Sequence, residues 1–216
     1  MTSVETVCGP AAERCVVAVD VGGTKVACAL VGLGDHEPVV RFVRTVPTEA
    51  RLGGGHVLGV VLDLVARALE EPGVRPDGVG ISSAGVIDPR SGHVTFANDL
   101  MPGWGGTSLA AEVERSCGLP CRVLNDVHAH ALGEGRDRRG CLVVAVGTGI
   151  GGAYVHDGQL LLGAHDEAGH IGHVCCPAAS GVPCSCGATG HVEPVASGPA
   201  ILAEYLRLGG RPCRPD

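Results

Sequence analysis

Two histidines and two cysteines in the last quarter of the chain have the chemistry of zinc ligands. They are His173, Cys184, Cys186 and His191. Two thiols and two imidazoles make a complete tetrahedral set for structural zinc, although the Cys-x-Cys spacing is tighter than in a usual zinc finger. These cysteines lie among Pro, Ser and Gly, without the apolar neighbours of a core thiol, so the pattern favours zinc over free core cysteines. Cys175 and Cys176 lie nearby and are either core thiols or competing ligands.

Two glycine-rich turns, each directly after an apolar run, have the composition of a phosphate cradle. The first covers residues 20–25 (Asp-Val-Gly-Gly-Thr-Lys) and the second residues 147–152 (Gly-Thr-Gly-Ile-Gly-Gly). Glycines let backbone amides approach a phosphate, and a threonine hydroxyl adds a donor. A tight hairpin that merely needs glycine explains either turn alone, but two such turns facing across a cleft can hold one polyphosphate. Neither turn has the Gly-Lys-Ser/Thr of a P-loop, and Asp20 could hold a magnesium ion through water.

Asn125 and Asp126 stand where a short apolar strand runs into a helix. The carboxyl ends of strands are where α/β sheets place ligand contacts. An aspartate there can accept a proton from an attacking hydroxyl, while the asparagine orients the neighbouring hydroxyls. The alternative is that Asp126 serves only as the N-cap of the helix, a position that Asp favours.

The elements that must position these residues are a series of strands and helices. Apolar runs predict strands over residues 16–19, 26–31, 39–46, 79–82, 121–125 and 141–146. Helical spacing and stop signals predict helices over residues 57–69, 108–117, 126–135 and 199–208. A hairpin with a type I′ turn at Asp157-Gly158 follows the second glycine turn. Two units of strand, glycine turn and strand predict two similar α/β lobes with a cleft between them, rather than one doubly wound sheet.

Length and composition limit the functions that are open to the chain. At 216 residues with 45% hydrophobic content, it can bury the core of one or two domains. A net charge of -7 and an aromatic share of 2% argue against nucleic acid as a partner, since phosphate binding and base stacking need basic and aromatic side chains. The apolar runs are too short or too interrupted to span a membrane. The start of the chain lacks the features of a secretory signal, so we expect a cytoplasmic protein with reduced thiols.

Between residues 15 and 205 the motifs resemble, in order and spacing, those of the ROK family (repressors, open reading frames, kinases). Each motif is weak alone, but the set is specific. The motifs are residues 20–25, residues 81–88 (Ile-Ser-Ser-Ala-Gly-Val-Ile-Asp), Asn98 with Trp104, Asn125-Asp126 with Gly133-Glu134, residues 146–152, residues 168–173 (Ala-Gly-His-Ile-Gly-His) and residues 184–193 (Cys-Ser-Cys-Gly-Ala-Thr-Gly-His-Val-Glu).

The resemblance implies an α/β, actin-like ATPase (ribonuclease H-like) fold with two lobes, residues 1–120 and residues 121–216, around a central cleft. It implies ATP-dependent phosphorylation of a hexose or an N-acyl hexosamine, with ATP, Mg²⁺ and structural Zn²⁺, and a homodimer if the fold is complete. Asp126 would be the general base, and His173 would ligate zinc through one ring nitrogen and approach the sugar with the other. The sugar-contacting positions are Asn98, Asn125, His170, His173 and Glu193. The nucleotide-binding positions are Asp20, Gly22, Gly23, Thr24, Lys25, Thr148 and Gly149.

Three departures from the family pattern change these expectations. His191 stands where the family usually has Cys, and imidazole is an equally good zinc ligand. His170 replaces a common Glu, similar to bacterial N-acetylmannosamine kinases, so an N-acyl hexosamine competes with glucose as the substrate. The chain ends at Asp216, ahead of the segment that supplies the adenosine-binding glycines in the family, so we expect an incomplete second lobe. A sugar-binding protein without catalysis and a truncated, inactive remnant are the alternatives.

Overall fold

The chain forms two compact units, residues 1–126 and residues 127–216. Our computed structural model describes residues 14–34, 38–73, 75–135 and 138–211. The sequence places the division at residue 120, but the strand at residues 121–125 pairs with a strand of the first sheet. Backbone pairing therefore moves the division to residue 126. Among the described residues, no helix combines the length and the apolar content that crossing a membrane requires.

A five-stranded mixed sheet is the centre of the first unit. The strands and helices of this unit are β1 (Arg14–Val21), β2 (Lys25–Leu33), β3 (Val39–Pro47), α1 (Gly54–Leu69), β4 (Gly78–Ser83), β5 (Val86–Asp88), β6 (His93–Phe96), α2 (Leu109–Cys117) and β7 (Cys121–Asn125). The sheet has the order β3-β2-β1-β4-β7, with β3, β2 and β1 antiparallel and β1, β4 and β7 parallel. β5 and β6 form a separate hairpin. The carboxyl ends of β1, β4 and β7 therefore lie at one edge of the sheet.

The core of the first unit follows from two periodicities in the sequence. Every second residue of β1 from Cys15 to Val21 is buried, as expected when alternate side chains point to opposite faces of a sheet. α1 buries a stripe of side chains at helical spacing. The members of this stripe are Val57, Val61, Leu64, Val65 and Ala68. They join the buried residues of β1, β2 and β4 in one hydrophobic cluster.

A three-stranded antiparallel sheet with a small core organises the second unit. Its elements are β8 (Gly140–Val146), β9 (Ile150–His156), β10 (Gln159–Leu160), α4 (Glu193–Ala196) and α5 (Gly198–Arg207), together with α3 (Asp126–Gly135), which begins at the last residue of the first unit. The strand order is β10-β9-β8. Ala131 of α3 and Ala153 and Val155 of β9 are its buried core residues. The segment between β10 and α4 contains short 3₁₀ turns at Ile171–His173 and Pro177–Ala179.

The predicted strands and helices are all confirmed, with small shifts at their ends. α1 starts earlier than its apolar stripe, at Gly54, because glycines without a hydrophobic signal fill its first turn. Asp157 and Gly158 both have positive φ, as a type I′ turn requires. The β5–β6 hairpin, α4 and the 3₁₀ turns were not predicted. They are too short to display a periodicity in the sequence.

Candidate functional site

Polar side chains line the edge of the first sheet where its parallel strands end. Asp20 on β1 lies in register with Ser82 on β4, and the Ser82 Oγ donates a hydrogen bond of 2.8 Å to the Asp20 Oδ1. Asn125, the last residue of β7, lies in register with Ser83. Its Nδ2 donates to the carbonyl oxygen of Gly85 at 2.9 Å. Asp20 and Asn125 therefore belong to one edge, each fixed by a neighbour on or just after β4.

Asp126 follows Asn125 directly and is the first residue of α3. Its side chain is exposed. One strand, β4, separates β1 from β7, so the backbones that carry Asp20 and Asn125-Asp126 are about 10 Å apart. Asp20 and Asp126 thus belong to the same edge of the sheet, on strands that are separated by β4.

The first glycine turn, residues 22–24, connects β1 to β2 and is held in place by Thr48. The Thr48 hydroxyl donates to the carbonyl oxygen of Gly22 at 2.6 Å, and the Thr48 amide donates to the carbonyl oxygen of Thr24 at 3.1 Å. Gly22 closes the turn through its amide, which donates to the Lys25 carbonyl oxygen at 3.0 Å. Thr48 is fully buried, whereas Gly23, Thr24 and Lys25 are exposed. The turn therefore has a fixed base and an open outer side.

Asn98 and Trp104 lie in the loop between β6 and α2 and have different roles. The Trp104 ring is fully buried, and its Nε1 donates to the Ser83 Oγ at 3.1 Å, which ties the loop to the end of β4. Asn98 is exposed, and its Oδ1 accepts a hydrogen bond of 3.1 Å from the Leu100 amide. Trp104 anchors the loop, and Asn98 shapes its own turn within it.

The four candidate metal ligands of the second unit converge. Their donor atoms all lie within 4.8 Å of one another. The Cys184 Sγ lies 3.5 Å from the His173 Nδ1, and the Cys186 Sγ lies 3.3 Å from the His191 Nδ1. Zinc bound tetrahedrally at ordinary Zn–S and Zn–N lengths requires a sulfur–nitrogen separation of about 3.5 Å. The cluster therefore fits a zinc-sized ion.

Cys175 and Cys176 have a different position from the cluster. The backbone of Cys175 forms a bridge with that of His191, and the Cys176 amide donates to the Gly190 carbonyl oxygen at 2.9 Å. Within the described residues, the converging ligand set does not include their thiols. These two residues support the loop of the cluster through their backbones.

Glycines bring the segment that carries His170 and His173 against β9. A Cβ on Gly172 would overlap the carbonyl oxygen of Ile150, and a Cβ on Gly169 would overlap that of Gly152. Gly169 also has a φ of +97°, which L side chains rarely adopt. The two histidines are thereby fixed next to β9, with 6.2 Å between their ring centroids.

His170 is half-buried, and its surroundings disfavour the charged imidazolium. Burial lowers its pKa from the ordinary value of 6.5, and the nearby His173 and His128 add to this, while Glu167 opposes it. His128 on α3 is buried, and its Nε2 lies 3.3 Å from the carbonyl oxygen of Ala168. His128 therefore joins α3 to the segment that leads into His170.

Glu193, the first residue of α4, contacts the second glycine turn and the metal loop through its two carboxylate oxygens. The Ile150 amide donates to the Oε2 at 2.9 Å, and the Ser185 hydroxyl donates to the Oε1 at 2.7 Å. Thr148 and Gly149 lie in the turn itself, and a Cβ on Gly149 would lie only 2.6 Å from the Glu193 Oε2. A carboxylate offers about four acceptor positions, so these two bonds leave acceptor positions that a ligand hydroxyl can use.

The structure brings together the sequence candidates in two groups. The first unit holds one group at its sheet edge and first turn, and the second unit holds the other around β9 and the metal loop. The sequence analysis assigned no individual role to four polar residues, Thr48, Ser82, Ser185 and His128. Thr48 and Ser82 act through strand pairing between residues distant in sequence, so their roles had no local signal. Ser185 lies between two candidate metal ligands, so its position in the sequence already indicates a residue close to the metal site.

Comparison with known proteins gives close relatives over most of the chain. The chain is 33% identical over 197 residues to a glucokinase from Halalkalibacterium halodurans, a match that covers 88% of this chain and 58% of the relative. It is 35% identical over 192 residues to an N-acetylmannosamine kinase from Citrobacter koseri, covering 87% of this chain and 63% of the relative. The chain thus spans about three fifths of the length of these curated relatives.

Among solved structures, the chain is similar to a ROK family glucokinase from Streptomyces griseus in complex with glucose and AMPPNP. The match has a TM-score of 0.75 and 30% identity, and it covers 91% of this chain and 61% of that one. The α/β fold is that of the actin-like ATPases, as the sequence motifs predict. The model of the ROK family matches residues 16–215, which is almost the entire sequence. The chain therefore belongs to the ROK family.

Proposed function

We propose that this protein is an ATP-dependent sugar kinase that phosphorylates a hexose or an N-acyl hexosamine. A glucokinase and an N-acetylmannosamine kinase, each more than 30% identical to it, support this proposal. The observation that carries it is the edge of the first sheet, where Asp20, Asn125 and Asp126 follow the ends of parallel strands beside the first glycine turn. That arrangement offers one carboxylate for a cation and another for a proton.

In the proposed reaction, Asp126 is the general base. A sugar hydroxyl oxygen attacks the γ-phosphorus of ATP and loses its proton to the Asp126 carboxylate. The bond from the γ-phosphorus to the bridging oxygen breaks, and that oxygen leaves with ADP. Asn125 and Asn98 orient the other sugar hydroxyls by hydrogen bonding. The exposure of Asp126 keeps its carboxylate accessible to a substrate.

The two glycine turns are the proposed binding sites of the nucleotide phosphates. The open outer side of the first turn carries Gly23, Thr24 and Lys25, which supply amides, a hydroxyl and a positive charge. Thr148 and Gly149 supply the same kinds of donor from the second turn. Asp20, already fixed by Ser82, would hold Mg²⁺ through water, and the ion would neutralise phosphate charge.

Zinc is the proposed occupant of the cluster of two cysteines and two histidines. The separations of the donor atoms and the soft thiol ligands support it. Its contribution would be to fix the loop rather than to activate a water, because four protein ligands complete the tetrahedron. The Nδ1 of His173 faces Cys184, so its Nε2 is the atom proposed to contact the sugar.

The choice between glucose and an N-acyl hexosamine depends on His170 in this proposal. Its lowered pKa favours a neutral ring near pH 7, which can donate one hydrogen bond and accept another. A glutamate at this position could only accept. A donor at this site would suit an acyl carbonyl oxygen, which favours the N-acyl hexosamine.

A coupled assay of ADP release tests the proposal with glucose, mannose, N-acetylglucosamine and N-acetylmannosamine as substrates. Asp126→Asn should lower kcat by roughly 10²–10⁴-fold because the proton acceptor is lost. Asp157→Asn is the matched control, since Asp157 is exposed in a turn that suits Asn, and it should retain full activity. Absence of ADP release with every sugar, or equal activity of Asp126→Asn and the control, would contradict the proposal.

Sugar binding without phosphoryl transfer is the second candidate function. Titration calorimetry distinguishes the two functions. A kinase should bind both a sugar and a non-hydrolysable ATP analogue, whereas the second candidate binds the sugar alone. A cytoplasmic homodimer is also part of the proposal, and light scattering after gel filtration would measure its mass.

A further inference from the structure

The second glycine turn is fixed at both of its ends by one short segment of the second unit. The Glu193 Oε2 accepts a hydrogen bond from the Ile150 amide at 2.9 Å, and the Gly198 amide donates to the Gly147 carbonyl oxygen at 2.9 Å. Within the turn, the Gly147 amide donates to the Gly149 carbonyl oxygen. The segment from residue 193 to residue 198 therefore determines how the turn presents its backbone.

The same carboxylate is also connected to the metal loop. Ser185 lies between Cys184 and Cys186, and its hydroxyl donates to the Glu193 Oε1 at 2.7 Å. Both neighbouring cysteines are candidate ligands, so a bound metal would restrict the backbone on each side of Ser185. Without a metal, only the weak thiol–imidazole contacts, Cys184 with His173 and Cys186 with His191, hold these two thiols within the ligand set. The Ser185 hydroxyl would then meet Glu193 only part of the time.

We propose that Ser185 and Glu193 form a relay through which the metal cluster sets the geometry of the second glycine turn. Ser185 is a positioning residue: it holds the Glu193 carboxylate, and Glu193 holds the Ile150 amide. The contact is close, because a Cβ on Gly149 would lie 2.6 Å from the Glu193 Oε2. A small displacement of the carboxylate therefore shifts the turn. The inference rests on the proposed function in one respect, that the turn binds nucleotide phosphates.

Hydrogen exchange at the Ile150 amide tests the relay without any need for turnover. In the zinc-loaded wild type this amide should exchange slowly, and removal of zinc with a chelator should speed its exchange about tenfold, as expected when a hydrogen bond to a charged group is lost. In Ser185→Ala the exchange should be fast with and without zinc. Ser185→Thr keeps a hydroxyl and should behave as the wild type. The Ala153 amide on β9 serves as the internal reference and should not respond.

Three results would overturn the relay. One is a hydrogen-exchange rate of the Ile150 amide that changes with zinc in Ser185→Ala as much as it does in the wild type. Another is an equal acceleration of hydrogen exchange at the Ile150 and Ala153 amides on removal of zinc, because the metal would then stabilise all of β9. The last is loss of zinc from Ser185→Ala, since the serine would then act on the cluster and not on the turn.

Kinetic measurements separate this inference from the proposed function. If the protein is a kinase, Ser185→Ala should raise the KM for ATP about fivefold. If ADP release is absent but the exchange pattern is as expected, the relay stands and the proposed function fails. If the enzyme is active and the exchange pattern is not seen, the relay fails alone.

Discussion

At the scale of single residues, His191 carries the departure from the family pattern that the structure resolves most clearly. Its Nδ1 faces the Cys186 Sγ at 3.3 Å, which is the geometry of two ligands on one tetrahedral ion. We expect His191→Cys to bind about one zinc ion per chain, because a thiolate is an equally good ligand. His191→Ala should bind well below one ion after gel filtration, since three ligands leave the tetrahedron open. Elemental analysis of the purified variants measures both contents.

Alkylation provides a second measurement on the same cluster. Bound zinc should protect Cys184 and Cys186 from iodoacetamide in the wild type and in His191→Cys, but not in His191→Ala. Cys28 and Cys121 are the internal controls, because burial raises their thiol pKa to about 11 and about 12, so they should resist alkylation in every folded variant. Full zinc content in His191→Ala would show that His191 is not a ligand.

His170 makes the stability of the chain depend on pH in a defined direction. Burial lowers its pKa below 6.5 in the folded state, so below pH 6.5 the unfolded chain binds the proton more readily than the folded one. Stability should therefore fall as the pH decreases from 6.5 to the folded-state pKa, and should not change through this group above 6.5.

His170→Gln should show a smaller loss of stability than the wild type between about pH 7.5 and about pH 5.5. Urea unfolding at both pH values measures the difference, and His165→Gln, at an exposed position, is the control that should follow the wild type. Because metal release affects the variant and the wild type alike, it largely cancels in the comparison. An identical decrease for His170→Gln and the wild type would exclude His170 as the cause.

At the scale of elements, α1 contains two glycines whose surroundings predict opposite effects. Gly54 is buried, and a Cβ there would overlap the carbonyl oxygen of Gly103 in the loop before α2. We expect Gly54→Ala to lower the free energy of unfolding by about 1–3 kcal/mol or more, because backbone must move to accept the methyl group. Gly59 is exposed on the same helix, with nothing within 4 Å of a Cβ.

Gly59→Ala is thus the matched control for this helix and should raise stability by about 0.4–1 kcal/mol, because alanine restricts the unfolded chain. Chemical denaturation of both variants gives the comparison. Equal effects of the two substitutions would mean that the approach of α1 to Gly103 does not contribute to stability. Gly54 packs against the loop that carries Gly103 and Trp104. The Trp104 ring in turn contacts the end of β4.

At the scale of the whole molecule, the second unit leaves apolar side chains exposed. Leu142, Val144 and Val146 on β8 are each at least half exposed, and α5 has no buried residue although it carries Ile201 and other apolar side chains. Within the described residues β8 is also an edge strand of its sheet. An exposed apolar edge strand pairs readily with another chain. We therefore expect the 216-residue chain to self-associate through β8.

Val144→Lys should reduce this association, because a charge on an edge strand opposes pairing. Light scattering after gel filtration should give a lower average mass for this variant than for the wild type at equal concentration. Leu52→Lys is the control, since Leu52 is an exposed apolar residue of the first unit that lies in the 3₁₀ turn Ala50–Leu52 and not on a strand. A mass that falls equally in both variants would assign the effect to net charge instead of to β8.

The sequence alone determined where the long strands and helices lie and which kinds of ligand the motifs suit. Alternating and helical periodicities depend only on which side of an element faces the core, so β1, α1 and the other long elements could be predicted. The glycine turns and the set of cysteines and histidines are local in sequence, and their residue types restrict them to few kinds of ligand. The family motifs have the same property, since each is a short run with a fixed spacing.

Only the tertiary structure decided which distant residues support one another. Thr48 under the first turn and Ser82 beside Asp20 depend on the register of paired strands, which no local pattern encodes. The strand at residues 121–125 joined the first sheet because its backbone hydrogen bonds are satisfied by β4, and this moved the division between the units. The contacts of Glu193 with Ser185 and Ile150 likewise depend on chain segments that meet only after folding, because hydrogen-bond partners are set by distance in space and not by distance in sequence.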